Sequence, residues 1–97
     1  MPTPLFRLQA VTRHAVVDGP GSTDAALRRQ VASGQPPLEL AALVKKIFER
    51  ADTVTDDDVN ALRHHYSEEQ LFELIVAAAV GASEYRLEAA LAALESA

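Results

Sequence analysis

Residues 67–81 read SEEQLFELIVAAAVG, and this stretch decides the fold. Ser67 followed three residues later by Gln70 fits the capping-box pattern, which predicts that a helix begins here. From Leu71 onward almost every position is apolar, with Glu73 as the exception, so apolar side chains cover nearly the whole circumference of the helix. A helix that is apolar on all sides needs packing partners on all sides.

The remainder of the chain continues this helix. Residues 82–97 are mostly good helix formers, and Leu87, Leu91 and Leu94 fall on one side. Gly81 could end the helix or permit close packing, and good helix formers continue after it. We therefore expect one long helix with a bend at the glycine.

A chain of 97 residues with five or six helices has few neighbours to offer such a segment. We expect an obligate oligomer, formed either by copies of this chain or with a larger protein, because a large exposed apolar patch promotes aggregation. Alanine-rich faces at residues 77–79, 89–90 and 92–93 allow close helix approach, so we expect the partner surface to include the carboxy-terminal third. The expected contact residues are Leu71, Phe72, Ile75, Val76, Val80, Leu87 and Leu91.

Four further helices are predicted upstream. Apolar residues at helical spacing mark helices over residues 4–17, 24–32 and 38–51, and a fourth follows Thr55. Glycine and proline separate the first three of these segments. The pattern predicts an all-α bundle of five or six helices.

The helix starts carry recognisable caps. Ser22 or Thr23 is expected to accept the free N–H groups of the second helix. Thr55 is the expected cap of the fourth, with the three aspartates at 56–58 set against the positive end of its dipole. The apolar stripe of the third helix comprises Leu40, Leu43, Val44, Ile47 and Phe48, and Val59 and Leu62 of the fourth are expected to face inward.

Composition limits the classes of function. The chain is 48% hydrophobic and 24% charged, with a net charge of -5 and no cysteine. The missing cysteine excludes disulfides, thiolate metal sites and thiol nucleophiles. The acidic balance argues against nucleic acid and anionic membrane as partners. We expect one helical domain over residues 1–97, with lead-in helices and linkers at 1–36 and the core at 37–97.

No segment resembles an export signal or a membrane span. The amino terminus lacks the apolar core of a signal peptide. The most apolar run, residues 71–82, is shorter than the roughly 20 residues that cross a bilayer. A cytoplasmic location is expected, and the excess of arginine over lysine is typical of a GC-rich bacterial genome.

Three stretches of the chain together resemble the distal part of carboxymuconolactone decarboxylase and alkylhydroperoxidase D-like proteins. They are residues 53–63 (TVTDDDVNALR), 67–74 (SEEQLFEL) and 77–81 (AAAVG). The resemblance covers Leu38 to about Leu94. It implies an all-helical, oligomeric scaffold. Residues 18–21 (DGPG) and 24–28 (DAALR) also look like the lead-in of small family members.

The chain departs from that family at its catalytic residues. Peroxidatic members carry a Cys-x-x-Cys pair and a histidine before this region, and here a proline-bearing linker precedes Leu38. Tyr66 stands where relatives often have glycine, which puts the turn geometry in question because tyrosine rarely adopts positive φ. The resemblance therefore implies a helical scaffold that associates with other chains, and it assigns no catalytic residue to this sequence.

Three residues remain as candidates for chemistry. Glu73 interrupts the apolar helix, and a buried carboxylate there would be paired or would have a raised pKa. It could instead lie at a helix edge and meet solvent, Arg63 or Arg86. His64 and His65 are adjacent, so one helix cannot direct both at a single ion, and a helix end explains them equally well.

The aspartates at 56–58 lack the spacing of an EF-hand calcium loop. No metal and no cofactor is therefore expected. The sequence favours a non-catalytic assembly or accessory module. The alternative is a lyase, isomerase or ligand-binding protein that uses a histidine and Glu73 as general acid and base in a shared pocket.

Overall fold

The computed structural model describes residues 13–96, and in this range the chain is all-α with no strand. A π-helical turn spans His14–Asp18. Four α-helices follow: α1 at Ala25–Ala32, α2 at Ala41–Arg50, α3 at Asp56–Asn60 and α4 at Glu68–Ser96. Short 3-10 turns at Leu38–Leu40 and Ala51–Thr53 flank α2. The predicted all-α class is confirmed, whereas most of the helix predicted over residues 4–17 lies outside the described residues.

The start of α1 differs from the prediction. Asp24 is the cap, and its side chain accepts from the backbone N–H of Ala26. The hydroxyl of Thr23 donates to Glu73 instead. The cap assigned to Ser22 or Thr23 is therefore wrong, because a carboxylate from α4 takes the polar groups of both residues.

Gly34 ends α1 in the left-handed region, with φ of 76°. Its N–H donates to the carbonyl of Val31, and the N–H of Gln35 donates to the carbonyl of Gln30. This pair of hydrogen bonds is the Schellman motif, which favours glycine at the left-handed position.

The predicted apolar stripe of α2 is confirmed. Leu40, Leu43, Val44 and Ile47 are buried, and Phe48 packs against the same core. The helix itself is shorter than predicted, since its first and last turns are 3-10 turns. Arg86 of α4 caps the far end by donating to the carbonyl oxygens of Ile47 and Phe48.

Both predicted caps of the distal half are present. The Thr55 hydroxyl accepts from the N–H of Asp58 at 3.3 Å, and the Asp58 carboxylate accepts from the N–H of Thr55. Ser67 and Gln70 exchange the equivalent pair of hydrogen bonds at the start of α4. The prediction that Val59 and Leu62 face inward is also confirmed.

The turn between α3 and α4 accommodates Tyr66 without strain. Gly34 is the one residue with positive φ in the part of the chain that the structure describes, so Tyr66 does not need the conformation that favours glycine. Its ring packs against the core, and its hydroxyl donates to Glu39 at 2.8 Å. Desolvation, followed by this hydrogen bond, raises the pKa of Tyr66 to about 12.

Helix α4 is the axis of the fold. It has 29 residues and so spans about 43 Å, and it runs without interruption through Gly81. The inner face of α4, which packs against α1, α2 and the π-helical turn, consists of Leu71, Leu74, Ala77, Ala78, Gly81 and Ala82. Gly81 touches α1 so closely that a Cβ there would overlap the carbonyl of Ala32. The glycine therefore serves helix packing rather than helix termination.

A buried arginine fastens the π-helical turn to α1. Arg28 is 3% exposed, and its guanidinium donates to the carbonyl oxygens of Val16, Gly19 and Thr23. Val16 lies in the π-helical turn, and Gly19 and Thr23 lie in the loop between that turn and α1. Arg28 supplies the donors that this buried backbone requires.

Among residues 13–96, no helix is both long and apolar enough to span a membrane.

Candidate functional site

The most distinctive surface of the molecule lies on α4, opposite its inner face. We call it the outer stripe, and it consists of Phe72, Val76, Ala79, Ser83, Leu87, Ala90 and Leu94. Successive members are separated by three or four residues, the spacing that keeps side chains on one side of a helix. Phe72 is 68% exposed and Leu94 is 72% exposed. Ala79, Ser83 and Ala90 are exposed as well, and Val76 and Leu87 are half-buried.

Six of these seven side chains are apolar. An exposed apolar row that runs the length of a helix is the pattern by which helices pair with other helices. Exposed apolar residues are common singly, whereas contiguous rows mark interaction surfaces. The outer stripe is therefore the strongest candidate for a binding surface in the described part of the chain.

The structure separates the predicted contact residues into two groups. Phe72, Val76 and Leu87 belong to the outer stripe, and half-buried Val80 and Leu91 lie beside it. Leu71 is 2% exposed and packs inside its own chain, so it is unavailable to a partner. Half-buried Ile75 also packs against the core.

The sequence analysis did not place Ser83 and Leu94 among the contact residues, whereas Ala79 and Ala90 belong to the alanine-rich faces that it assigned to the partner surface. The signal for them is the three-and-four spacing counted from Phe72. The sequence alone does not separate this row from the inner face, because both rows are apolar and repeat with the same helical period. Knowing which row the chain itself covers requires the fold.

Glu73 lies between the two faces of α4 and holds the loop before α1. Its carboxylate accepts from the backbone N–H of Ser22 at 2.7 Å and of Thr23 at 3.1 Å, and from the Thr23 hydroxyl at 2.8 Å. A Cβ at Gly21 would overlap the same carboxylate. The expectation that Glu73 might meet Arg63 or Arg86 is wrong, because backbone N–H groups are its partners.

The electrostatics of Glu73 follow from these contacts. Desolvation pushes the pKa of the carboxyl upward, but the hydrogen bonds from Ser22 and Thr23 outweigh it and leave the pKa below its ordinary value. A carboxylate held in the ionised form by three donors is a poor proton donor near neutral pH. These hydrogen bonds fix α4 to the loop that precedes α1.

His64 and His65 lie in the turn that joins α3 to α4, and both are exposed. Within residues 13–96, no hydrogen bond or ion pair joins either side chain to Glu73. His65 contributes instead to the electrostatic environment of Glu39, whose pKa is lowered mainly by hydrogen bonding to backbone and to Tyr66. The structure therefore does not assemble His64, His65 and Glu73 into one acid–base site.

The aspartates at 56–58 lie in the first turn of α3. Asp58 completes the capping box, and its carboxylate oxygen accepts a hydrogen bond from Lys46 Nζ at 2.7 Å. The hydrogen bond from Lys46, followed by that from the Thr55 backbone, lowers the pKa of Asp58. In the described range, no group of three or more histidine, aspartate or glutamate side chains is arranged to hold a metal ion.

An open groove of about 350 Å³ lies beside α2. Pro36, Val44 and Phe48 give it apolar walls, and Lys45 and Glu49 are its charged residues. Among residues 13–96, no buried polar side chain hydrogen-bonds to either charged group. The described lining of the groove therefore offers mainly apolar contact.

Comparison of the chain with family models, with curated proteins and with solved structures gives no match. The outer stripe and its surroundings are therefore interpreted from their own geometry.

Proposed function

We propose that this protein is a non-catalytic helical assembly module that associates with a second copy of itself through the outer stripe of α4. The observation that carries the proposal is the exposure of Phe72 and Leu94, at 68% and 72%, at opposite ends of one apolar row. Covering a large apolar side chain contributes roughly 1.5–3 kcal/mol. Covering this row therefore contributes favourably to the free energy of association.

The alternative hypothesis, an enzyme or ligand-binding protein that uses a histidine and Glu73, has less support. Ser22 and Thr23 donate hydrogen bonds to the carboxylate of Glu73, and His64 and His65 are exposed in the turn between α3 and α4. A larger protein as partner fits the same apolar surface and is an outcome that the experiment below distinguishes. Membership of the carboxymuconolactone decarboxylase-like family stays a proposal, supported by the capping boxes at Thr55 and Ser67 and by the long alanine-rich helix.

Sedimentation velocity tests the proposal. The unmodified chain is expected to sediment as a dimer or larger species at micromolar concentration. Phe72→Asp is expected to shift it to a monomer with unchanged helix content, because the substitution places a charge within the apolar contact. Leu38→Asp is the matched control, since Leu38 is 91% exposed and apolar but lies away from α4's outer stripe.

A folded monomer at every concentration would overturn the proposal. So would equal effects of the two aspartate substitutions. If the chain sediments as a monomer alone but forms a complex with a protein co-purified from its source, the module binds a different partner and self-association is excluded.

A further inference from the structure

The chain between Arg13 and Thr23 follows α4 in a defined direction. Ser22 and Thr23 donate to the carboxylate of Glu73, and Arg13 donates to that of Glu84 at 2.8 Å. Eleven residues, about three helical turns, separate the two glutamates, so both lie on the same side of α4. The segment therefore runs antiparallel to α4, and its lower-numbered end approaches the carboxy-terminal half of that helix.

The carboxy-terminal half of α4 is less exposed on this same side. Glu84, Leu87 and Leu91 are half-buried, whereas every other residue in the range 83–96 is exposed. Their spacing of three and four residues keeps them on one side of the helix. Because Arg13 contacts Glu84, the two leucines continue the line along which the chain already packs.

The described part of the chain does not reach the end of this line. Arg86 makes the last hydrogen bond from α4 to another element, at the end of α2. Among residues 13–96, no hydrogen bond, ion pair or ring contact joins residues 87–96 to the rest of the chain. Leu87 and Leu91 therefore form an apolar track that begins where Arg13 meets α4.

The residues before Arg13 match this track in pattern and in length. Leu5, Leu8 and Val11 recur at the spacing of one helix face, within the helix predicted over residues 4–17. Twelve residues in helical form extend about 18 Å, which equals the rise of α4 from position 84 to position 96. A segment of this length that continues from Arg13 can cover the whole track.

Charge is complementary as well. Arg7 is the one charged residue in the sequence of residues 1–12. Glu88 and Glu95 are exposed on α4 and follow Glu84 at intervals of four and seven residues, which places them along one flank of the track. A basic segment beside this acidic flank is favoured electrostatically, as Arg13 and Glu84 already are.

We infer that residues 1–12 dock on α4 of their own chain, antiparallel to it, with their apolar residues covering Leu87 and Leu91. The inference does not depend on the proposed self-association. The outer stripe from Phe72 to Ser83 lies outside this contact, and the two surfaces adjoin at Leu87. The docked segment would complete the packing of α4 beyond the reach of α1 and α2.

Paired cysteines test where the segment lies, and the unmodified chain contains no cysteine that would interfere. The test variant combines Leu5→Cys with Leu91→Cys. The matched control combines Leu5→Cys with Ala89→Cys, because Ala89 is exposed and two residues turn a helix by about 200°. A third variant combines Leu5→Cys with Lys45→Cys, which lies in the groove beside α2. Each is treated in dilute solution with a short bismaleimide, and the products are identified by mass.

The test variant should give a product with the mass of one chain. Its effective thiol concentration is high when the segment is docked, whereas geometry forbids contact in the control and in the groove variant. Both of these should therefore react at least about tenfold more slowly.

Thermal denaturation of two further variants is a second, independent measurement. Leu8→Asp should lower the melting temperature by about 4–8 °C or more, because it places a charge in the apolar contact. Gln9→Asp, at the neighbouring position outside the apolar row of Leu5, Leu8 and Val11, is the matched control and should leave the melting temperature unchanged.

Three cross-linking outcomes would overturn the inference. Equal rates in the test variant and the control would show that the segment does not dock on this side of α4. Faster reaction of the Lys45→Cys variant would place the segment in the groove beside α2. A product with the mass of two chains would show that it docks on a second copy. Equal melting temperatures of Leu8→Asp and Gln9→Asp would also contradict it. None of these results changes the sedimentation test of self-association, so the two proposals fail separately.

Discussion

The inner face and the outer stripe of α4 have similar apolar content, and they differ in what covers them. Leu71, Leu74 and Ala77 on the inner face are at most 2% exposed, because α1 and α2 pack on them. On the outer stripe, Phe72 and Leu94 are 68% and 72% exposed. The two sides of one helix thus separate folding, which uses the inner face, from association, which we assign to the outer stripe.

The largest expected effect is on the inner face. Leu74→Ala should lower the free energy of unfolding by about 2–5 kcal/mol, because it leaves a cavity in the core. Leu94→Ala removes the same atoms from an exposed site and should change the unfolding of the dilute protein by no more than about 0.5 kcal/mol. Urea denaturation at low protein concentration measures both. Equal losses would abolish the distinction between the two sides.

The next effect concerns the close contact of α4 with α1. Gly81→Ala should destabilise the chain by about 1–3 kcal/mol, since the added Cβ would overlap the carbonyl of Ala32. The loss should appear even though alanine is the better helix former by about 1 kcal/mol. Ser83→Ala, two residues away on the outer stripe, is the matched control and should leave stability unchanged or slightly raised. A stabilising Gly81→Ala would show that α1 and α4 are further apart.

A smaller effect is expected at Glu73, on the boundary between the two sides. Glu73→Gln should cost about 1 kcal/mol at neutral pH, because an amide oxygen replaces an ionised acceptor of three hydrogen bonds. Glu88→Gln, an exposed position of the same helix, should have no measurable effect.

The pH dependence of the Glu73 contribution has a definite sign. The hydrogen bonds leave the pKa of Glu73 in the folded chain below its ordinary value of 4.5. Its contribution is therefore fully present above pH 4.5 and is lost as the pH falls through the folded-state pKa. The stability difference between the unmodified chain and Glu73→Gln should be constant near neutrality and shrink in acid. A difference that grows in acid would contradict this.

Much of the fold was predictable because its signals are local. The capping boxes at Thr55 and Ser67 and the apolar stripe of α2 depend on residues close together in sequence, and the structure confirms them. The partners of Glu73 were not predictable, since Ser22 and Thr23 are about fifty residues away. The packing role of Gly81 likewise depends on Ala32, which only the tertiary structure brings near.

The candidate surface was predicted in part. The sequence indicated that residues around Phe72 and Val76 carry too much apolar surface for the chain to cover. It could not say which side remains open, because two apolar rows of similar period share the helix. Leu71 and Phe72 are neighbours in sequence, and only the tertiary packing on α4 decides that one is buried and the other exposed.

Hydroxyl-radical footprinting over a dilution series tests most directly whether a second copy covers the outer stripe. If a second copy covers the stripe, Phe72 and Leu94 are protected at high concentration and become reactive together once dilution passes the dissociation constant. Tyr85, which is 65% exposed on the other side of α4, should react at every concentration. If Phe72 and Leu94 react as freely as Tyr85 at every concentration, no second copy covers them and the proposed association is contradicted.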